Sequence, residues 1–319
     1  MHQICREKYM SRIIIITVAI FSLVFTINAQ NSRKADNLNE EGLRLYKAGS
    51  FEAAIDAFSE AIEISSSLTS TQKYLRGNDL ADRAPGASFG EQIFAVDPRT
   101  AVALVNRGNV YFVLGQMAKA LDDYDRAIRI SPGLAEAWVC RGSVWLFRRE
   151  HDRAIEDYSR AIKIDPRSVK GYIGRSMVFS DKGNIKSAFE DLDAALKLEP
   201  KNAEVYYRRG NARRLSGDTT GALEEYKHAQ DLDPTLSGPY FGRGCIYYAQ
   251  RELKAAVAEL TKAIELDVRY PPALMLRGYA LLAMGKDADA DKDFKRAVAI
   301  LPQLKDEIDA GIKQIMTPK

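Results

Sequence analysis

Cysteine, histidine and tryptophan are scarce in this 319-residue chain, with three, three and two copies. Cys5 falls in the first 29 residues, and Cys140 and Cys245 stand about 105 positions apart. That spacing offers no disulfide framework, so the later two read as small buried apolar residues. His151 and His228 have no neighbouring Cys or carboxylate cluster at metal-ligand spacing, and neither cysteine has a histidine placed to activate it. No glycine-rich phosphate loop occurs, because the glycines recur at wide, regular intervals. The sequence therefore offers no catalytic, metal or cofactor residues and is read as that of a non-enzyme. Charge of one sign is lacking too. The formal net charge is +3, and without residues 1–29, which carry Arg6, Glu7, Lys8 and Arg12, 43 basic side chains face 42 acidic ones. So even a balance has no global field for nucleic acid, and no nucleic-acid partner is expected. With 46% hydrophobic residues and only 11 prolines, the chain is nonetheless built to fold.

The longest apolar run stands at the N-terminus. Arg6, Lys8 and Arg12 precede the run Ile13–Ile27, which ends at Asn28-Ala29-Gln30. Positive charge, a short apolar stretch and a small residue before the cut describe a secretory signal over 1–29. The run is shorter than the roughly 20 residues a membrane span needs. An uncleaved anchor is the alternative, and only then is a membrane a partner. Met10 is an alternative start.

Repetition dominates the rest. Gly108, Gly142, Gly210, Gly244 and Gly278 lie on one grid of 34 residues, with Ser176 at the missing point. Alanines follow twelve residues on (Ala120, Ala154, Ala188, Ala222, Ala256, Ala290) and nineteen residues on (Ala127, Ala161, Ala195, Ala229, Ala263, Ala297). Proline closes the units at Pro132, Pro166, Pro200, Pro234 and Pro302, with Val268 the lapse. Small residues let two antiparallel helices approach, and aromatic residues such as Tyr124, Tyr158, Tyr226 and Phe294 fill the space between. Gly115, Gly183, Gly217 and Gly285 suit a left-handed turn between the helices, and X-Pro pairs stop the second helix.

This pattern resembles the tetratricopeptide repeat over roughly residues 35–304. The resemblance implies an all-α, right-handed superhelical solenoid of antiparallel helix pairs. Residues 1–29 form the signal and 30–34 a linker, followed by a first repeat at 35–66 around Gly42, Gly49, Ala54, Phe58 and Ala61. Residues 67–100 read as a degenerate copy or a partly irregular insertion, because Pro85, Gly86 and Gly90 fall where a second helix belongs. Six repeats occupy 101–304. In the tail 305–319, Ile308, Ile312 and Ile315 continue from Leu304 as the apolar stripe of a capping helix.

One feature departs from the family pattern, which has an apolar residue just before each grid point. Here that residue is Arg107, Arg141, Arg175, Arg209, Arg243 or Arg277, and an acid lies sixteen residues on: Asp123, Asp157, Asp191, Glu225, Glu259 or Asp293. A guanidinium aimed into a helix seam needs a carboxylate, so the two are expected to bridge the helices of a repeat, or reach the next one. The first copy lacks both, with Glu41 and Ala57.

In the family, the first helices line the concave groove. The face set by three positions of each repeat carries Asn109, Phe112, Ser143, Leu146, Ile173, Met177, Tyr207, Asn211, Arg214, Phe241, Tyr248 and Tyr279. It suits a protein or peptide partner, laid down as a strand or an amphipathic helix. The lysine and asparagine clamp by which some relatives hold a C-terminal carboxylate is absent, since Val105 and Tyr207 occupy the lysine positions. N-terminal sequencing of the protein from its native cell is expected to begin at Gln30; Met1 or Met10 would indicate the uncleaved anchor.

Overall fold

A computed structural model describes residues 26–27, 29–80 and 97–316, with the backbone alone for 68–80. The signal segment expected over 1–29 lies largely outside these residues, as do 81–96. Among the described residues every regular element is helical, and no helix is long and apolar enough to cross a membrane. The chain divides into two compact units at Pro166 and Arg167.

The first unit holds α1 (29–47), α2 (Phe51–Leu80), α3 (Pro98–Val113), α4 (Met117–Ile130), α5 (Ala135–Phe147) and α6 (His151–Ile164). They form three antiparallel hairpins. No proline follows Ser66, and α2 runs on to Leu80. Helix α3 packs directly on the first hairpin: Thr100 donates to the buried Ser65 hydroxyl at 2.8 Å, and Asn106 to Asn39 at 2.9 Å. The described part of 67–100 thus lengthens α2 and starts α3. It places no further hairpin between α2 and α3.

The second unit holds α7 (Val169–Asp181), α8 (Ile185–Leu198), α9 (Ala203–Leu215), α10 (Thr219–Leu232), α11 (Ser237–Ala249), α12 (Leu253–Leu266), α13 (Pro271–Ala283) and α14 (Asp287–Ile300). A 3-10 turn (Pro302–Leu304) and α15 (Lys305–Met316) follow. Ile308 of α15 is buried against the last hairpin, with Leu304 and Ile312 beside it.

In both units the first helices of neighbouring hairpins touch (α3 with α5; α7 with α9, α9 with α11, α11 with α13), while second helices share no comparable interface. Each unit therefore draws in on its first-helix side.

Local chemistry places each boundary. The residue before each closing proline is extended, with φ between −140° and −124° at Ser131, Asp165, Glu199, Asp233 and Leu301. Asp267 adopts the same conformation before Val268, where its carboxylate accepts from the Arg269 amide at 3.0 Å and replaces the proline. The turns inside the hairpins need a left-handed residue. Gly49, Gly115, Gly183, Gly217 and Gly285 supply it with φ from 71° to 87°. Arg149 and Arg251 adopt it with φ 59° and 62°, without the freedom of glycine.

The grid glycines set the helix separation. A Cβ on Gly278 would lie 2.4 Å from the Phe294 ring, and one on Gly108 would lie 2.6 Å from Tyr124. At Gly142 the nearest ring atom of Tyr158 would be 3.1 Å away. Ser176 is tolerated opposite Leu192, which is smaller than a ring, and its hydroxyl donates to the Ile173 carbonyl at 2.7 Å. Gly278→Ala is expected to cost about 1–3 kcal/mol through overpacking, and Gly142→Ala clearly less. Urea unfolding of the two variants checks the order.

Candidate functional site

The arginine ladder is a set of hydrogen-bonded seams. In four hairpins the guanidinium meets an aspartate side-on, Nε to one oxygen and Nη2 to the other. Distances are 2.8 and 2.7 Å for Arg107–Asp123, Arg141–Asp157 and Arg175–Asp191, and 2.7 Å twice for Arg277–Asp293. The pairs are shielded: side-chain exposure is 15% for Arg107 and 2% for Asp123. Hydrogen bonding to aspartate raises the Arg107, Arg141 and Arg175 pKa values against the opposing effect of burial, so the charges are held fast.

Where the acid is glutamate the fork is lost. The extra methylene displaces the carboxylate: Arg209 Nε lies 2.9 Å from Glu225 Oε1 but off the hydrogen-bond axis, and the same oxygen also accepts from Arg213 at 3.2 Å. Arg243 reaches Glu259 through Nη2 at 2.9 Å, again with its Nε unsatisfied. Burial raises the Glu259 pKa, more than Arg243 and Gln230 can counter.

The third nitrogen, Nη1, crosses to the preceding hairpin. Arg107 donates to Ser59 (2.9 Å), Arg141 to Asp125 (2.6 Å), Arg209 to Asp193 (3.4 Å) and Arg277 to Thr261 (3.0 Å). These acceptors share one repeat position, seventeen past the grid point. At Arg243 that position holds Lys227, which turns outward to Asp231 at 3.0 Å. Nη1 there donates instead to Gln230 Oε1 at 3.0 Å. Gln230 stands in a row otherwise filled by Ile62, Ile128, Ile162, Leu196, Ile264 and Val298. Two departures in one repeat thus compensate each other, a signal visible in the sequence once the acceptor row is known.

The twelve groove candidates fall on their first helices in two groups. Asn109, Phe112, Ser143 and Leu146 belong to the first unit and the other eight to the second. Several are engaged inside the fold. Tyr124 donates to Asn109 Oδ1 at 2.8 Å, and Tyr226 to Asn211 Oδ1 at 2.7 Å. Ser143 gives its proton to the Val139 carbonyl, so it accepts from Tyr158 at 3.1 Å. Met177 and Cys245 hold the corresponding position opposite Leu192 and Leu260, which have no hydroxyl to satisfy. The asparagines expected to hold a peptide backbone therefore serve the buried phenols with their oxygen.

Tyr207 is 9% exposed and packs against Gly238 of the next hairpin. Phe241 meets Tyr270 at 5.0 Å. Tyr279 lies under α15, donating to the Glu307 carbonyl at 3.0 Å, with Gly311 against its ring. Phe112, Leu146, Ile173, Met177 and Tyr248 remain half-buried, and Arg214 is exposed.

His151 begins α6 rather than lying in the turn before it, and His228 of α10 stacks edge-on to Tyr206 at 4.2 Å. Among the described residues no three His, Cys, Asp or Glu side chains gather as a metal site requires. Burial pushes the Cys245 thiol up to about 11, so little of it is thiolate at neutral pH. A cleft of about 620 Å3 in the second unit lies between α12 and α14, and its Arg277, Lys292 and Lys295 are each paired with an aspartate.

These hairpins of 34-residue period define a helical-repeat protein, and comparison with known proteins names the repeat. Residues 101–134, 203–236 and 241–304 match profiles described as "Tetratricopeptide repeat", and 178–213 one described as "TPR repeat". The chain carries tetratricopeptide repeats. No curated protein matches it in sequence.

Among solved structures, a tetratricopeptide repeat protein from Parabacteroides merdae is similar at TM-score 0.62 and 18% identity, covering 89% of this chain and 100% of that one. Cut9–Hcn1 of the APC/C gives 0.57 at 18%, over 84% of this chain and 53% of that one. Yeast Tom70 gives 0.56 at 17%, over 88% and 64%. At such identities the likeness concerns the fold.

Double-mutant cycles with denaturant unfolding are expected to give a coupling of about 1–3 kcal/mol for Arg277–Asp293 and less for Arg243–Glu259. Gln230→Ile alone strands Arg243 Nη1 and lowers the unfolding midpoint. Adding Lys227→Thr, which supplies the acceptor that Arg277 finds in Thr261, restores it. A midpoint no higher in the double variant would show the two positions to be uncoupled.

Proposed function

We propose that this protein is an interaction scaffold that holds an extended peptide or an amphipathic helix of a protein partner on its first-helix faces, one in each unit, and performs no chemistry of its own. The observation that carries the reading is the row of half-buried apolar side chains on the first helices, Phe112 and Leu146 in one unit and Ile173, Met177 and Tyr248 in the other. Tetratricopeptide repeats in general serve protein interaction, in keeping with this. Such a row gains from losing water, and its backbone is already ordered.

The N-terminal segment supports a protein that works outside the cytoplasm, in the periplasm or beyond the cell, with tethering through Ile13–Ile27 as the alternative. Leu146→Ala and Tyr248→Ala are expected each to cut retention of the native partner at least tenfold in affinity capture from the native compartment, with little change in melting temperature. Undiminished capture by the double variant would overturn the groove reading.

A further inference from the structure

The first-helix face of the second unit holds no acidic residue at the positions that define it, and at its edge stand two guanidinium groups with no carboxylate. Neighbouring arginines are committed: Arg208 to Glu204 (2.6 Å), Arg209 to Glu225 (2.9 Å), Arg213 to Asp218 (2.6 Å) and Arg243 to Glu259 (2.9 Å). Arg214, exposed on α9 three residues after Asn211 of the same face, acts instead on the Tyr226 phenol and the Cys245 thiol, where its charge favours the ionised form of both. Arg251, exposed in the turn after α11, acts likewise on Tyr248. Neither makes an ion pair among the described residues.

The backbone offers a way to test Arg251. Five sister turns place glycine in this left-handed conformation, whereas here, as at Arg149 in the first unit, φ is positive (62°) on a residue with a long charged side chain. An arginine at this position carries a conformational cost that glycine would remove.

Resting on the groove reading above, we propose that the first-helix face of the second unit selects an acidic peptide segment, with apolar side chains on Met177 and Tyr248 and carboxylates paired to Arg214 and Arg251. A carboxylate is the complement of a guanidinium in shape as well as charge. The positions that define the face carry no acid to repel it, and Glu307 and Asp309 of α15 bear on it at Tyr279, on the last hairpin.

The test uses the full mature chain and a library of random 12-residue peptides displayed on phage. Selected peptides are expected to be enriched in Asp and Glu. Made synthetically, they are expected to bind at least tenfold more weakly to Arg214→Gln and to Arg251→Gly. The second variant is also expected to melt higher than the parent, since glycine suits the turn, which separates lost binding from lost folding. Peptides without acidic enrichment, or with unchanged affinity for both variants, overturn the proposal. If such peptides are still lost on Tyr248→Ala, the groove reading survives without its acidic specificity. If they also bind Tyr248→Ala unchanged, or if no peptide is selected, both readings fall. Displacement of the acidic peptides by a single-stranded oligonucleotide as readily as by unlabelled peptide would make the site a general anion surface and overturn the proposal too.

Discussion

The contact of a glycine backbone with a buried ring governs this structure. Gly108 on Tyr124, Gly210 on Tyr226 and Gly278 on Phe294 bring the two helices of a hairpin closer than any residue with a Cβ would allow. Alanines at the flanking positions, almost all fully buried, keep the approach close along the seam. At that separation an arginine on one helix and an aspartate on the other face each other at hydrogen-bond distance, and the charge can be taken from water because both carboxylate oxygens are used. The glutamates show how narrow the tolerance is: one methylene too many, and the fork becomes a single contact.

The fold was legible because every repeat restates it. Period, small residues, turn glycines and closing prolines agree with one another, and such agreement marks a sequence with one structure. The arginine and its acid were also legible as a recurring pair, since a buried charge demands a partner of fixed position. Their third nitrogen was not, because its acceptors (Ser59, Asp125, Asp193, Thr261) differ in residue type and recur only in hydrogen-bonding capacity. A pattern of capacity leaves no trace in a search for identical residues.

What each side chain of the proposed groove face does inside the fold was less legible. Helical spacing picks out one face of each first helix but does not tell a side chain that waits for a partner from one serving the interior. Asn109, Ser143 and Asn211 each stand opposite a tyrosine, while Met177 and Cys245 stand opposite leucine. Comparing the two positions together would have shown that the polar group answers a phenol. The contact of Tyr279 with α15 was not legible for a different reason: α15 is separated from it by a whole helix and is placed only by three-dimensional packing.

The crossing of Arg107, Arg141, Arg209, Arg243 and Arg277 into the preceding hairpin bears on how such an array can grow. A copied repeat brings its own arginine and acid, yet it borrows one acceptor from whatever precedes it. Serine, threonine and aspartate all serve, so most junctions accept a new neighbour without adjustment. The copy containing Lys227 and Gln230 is different. Its lysine offers no acceptor, and its glutamine, set in an apolar row, suits a follower whose arginine reaches that far. Duplication or exchange of a repeat at that junction demands a matched pair of changes, which the junctions with a serine, threonine or aspartate acceptor do not.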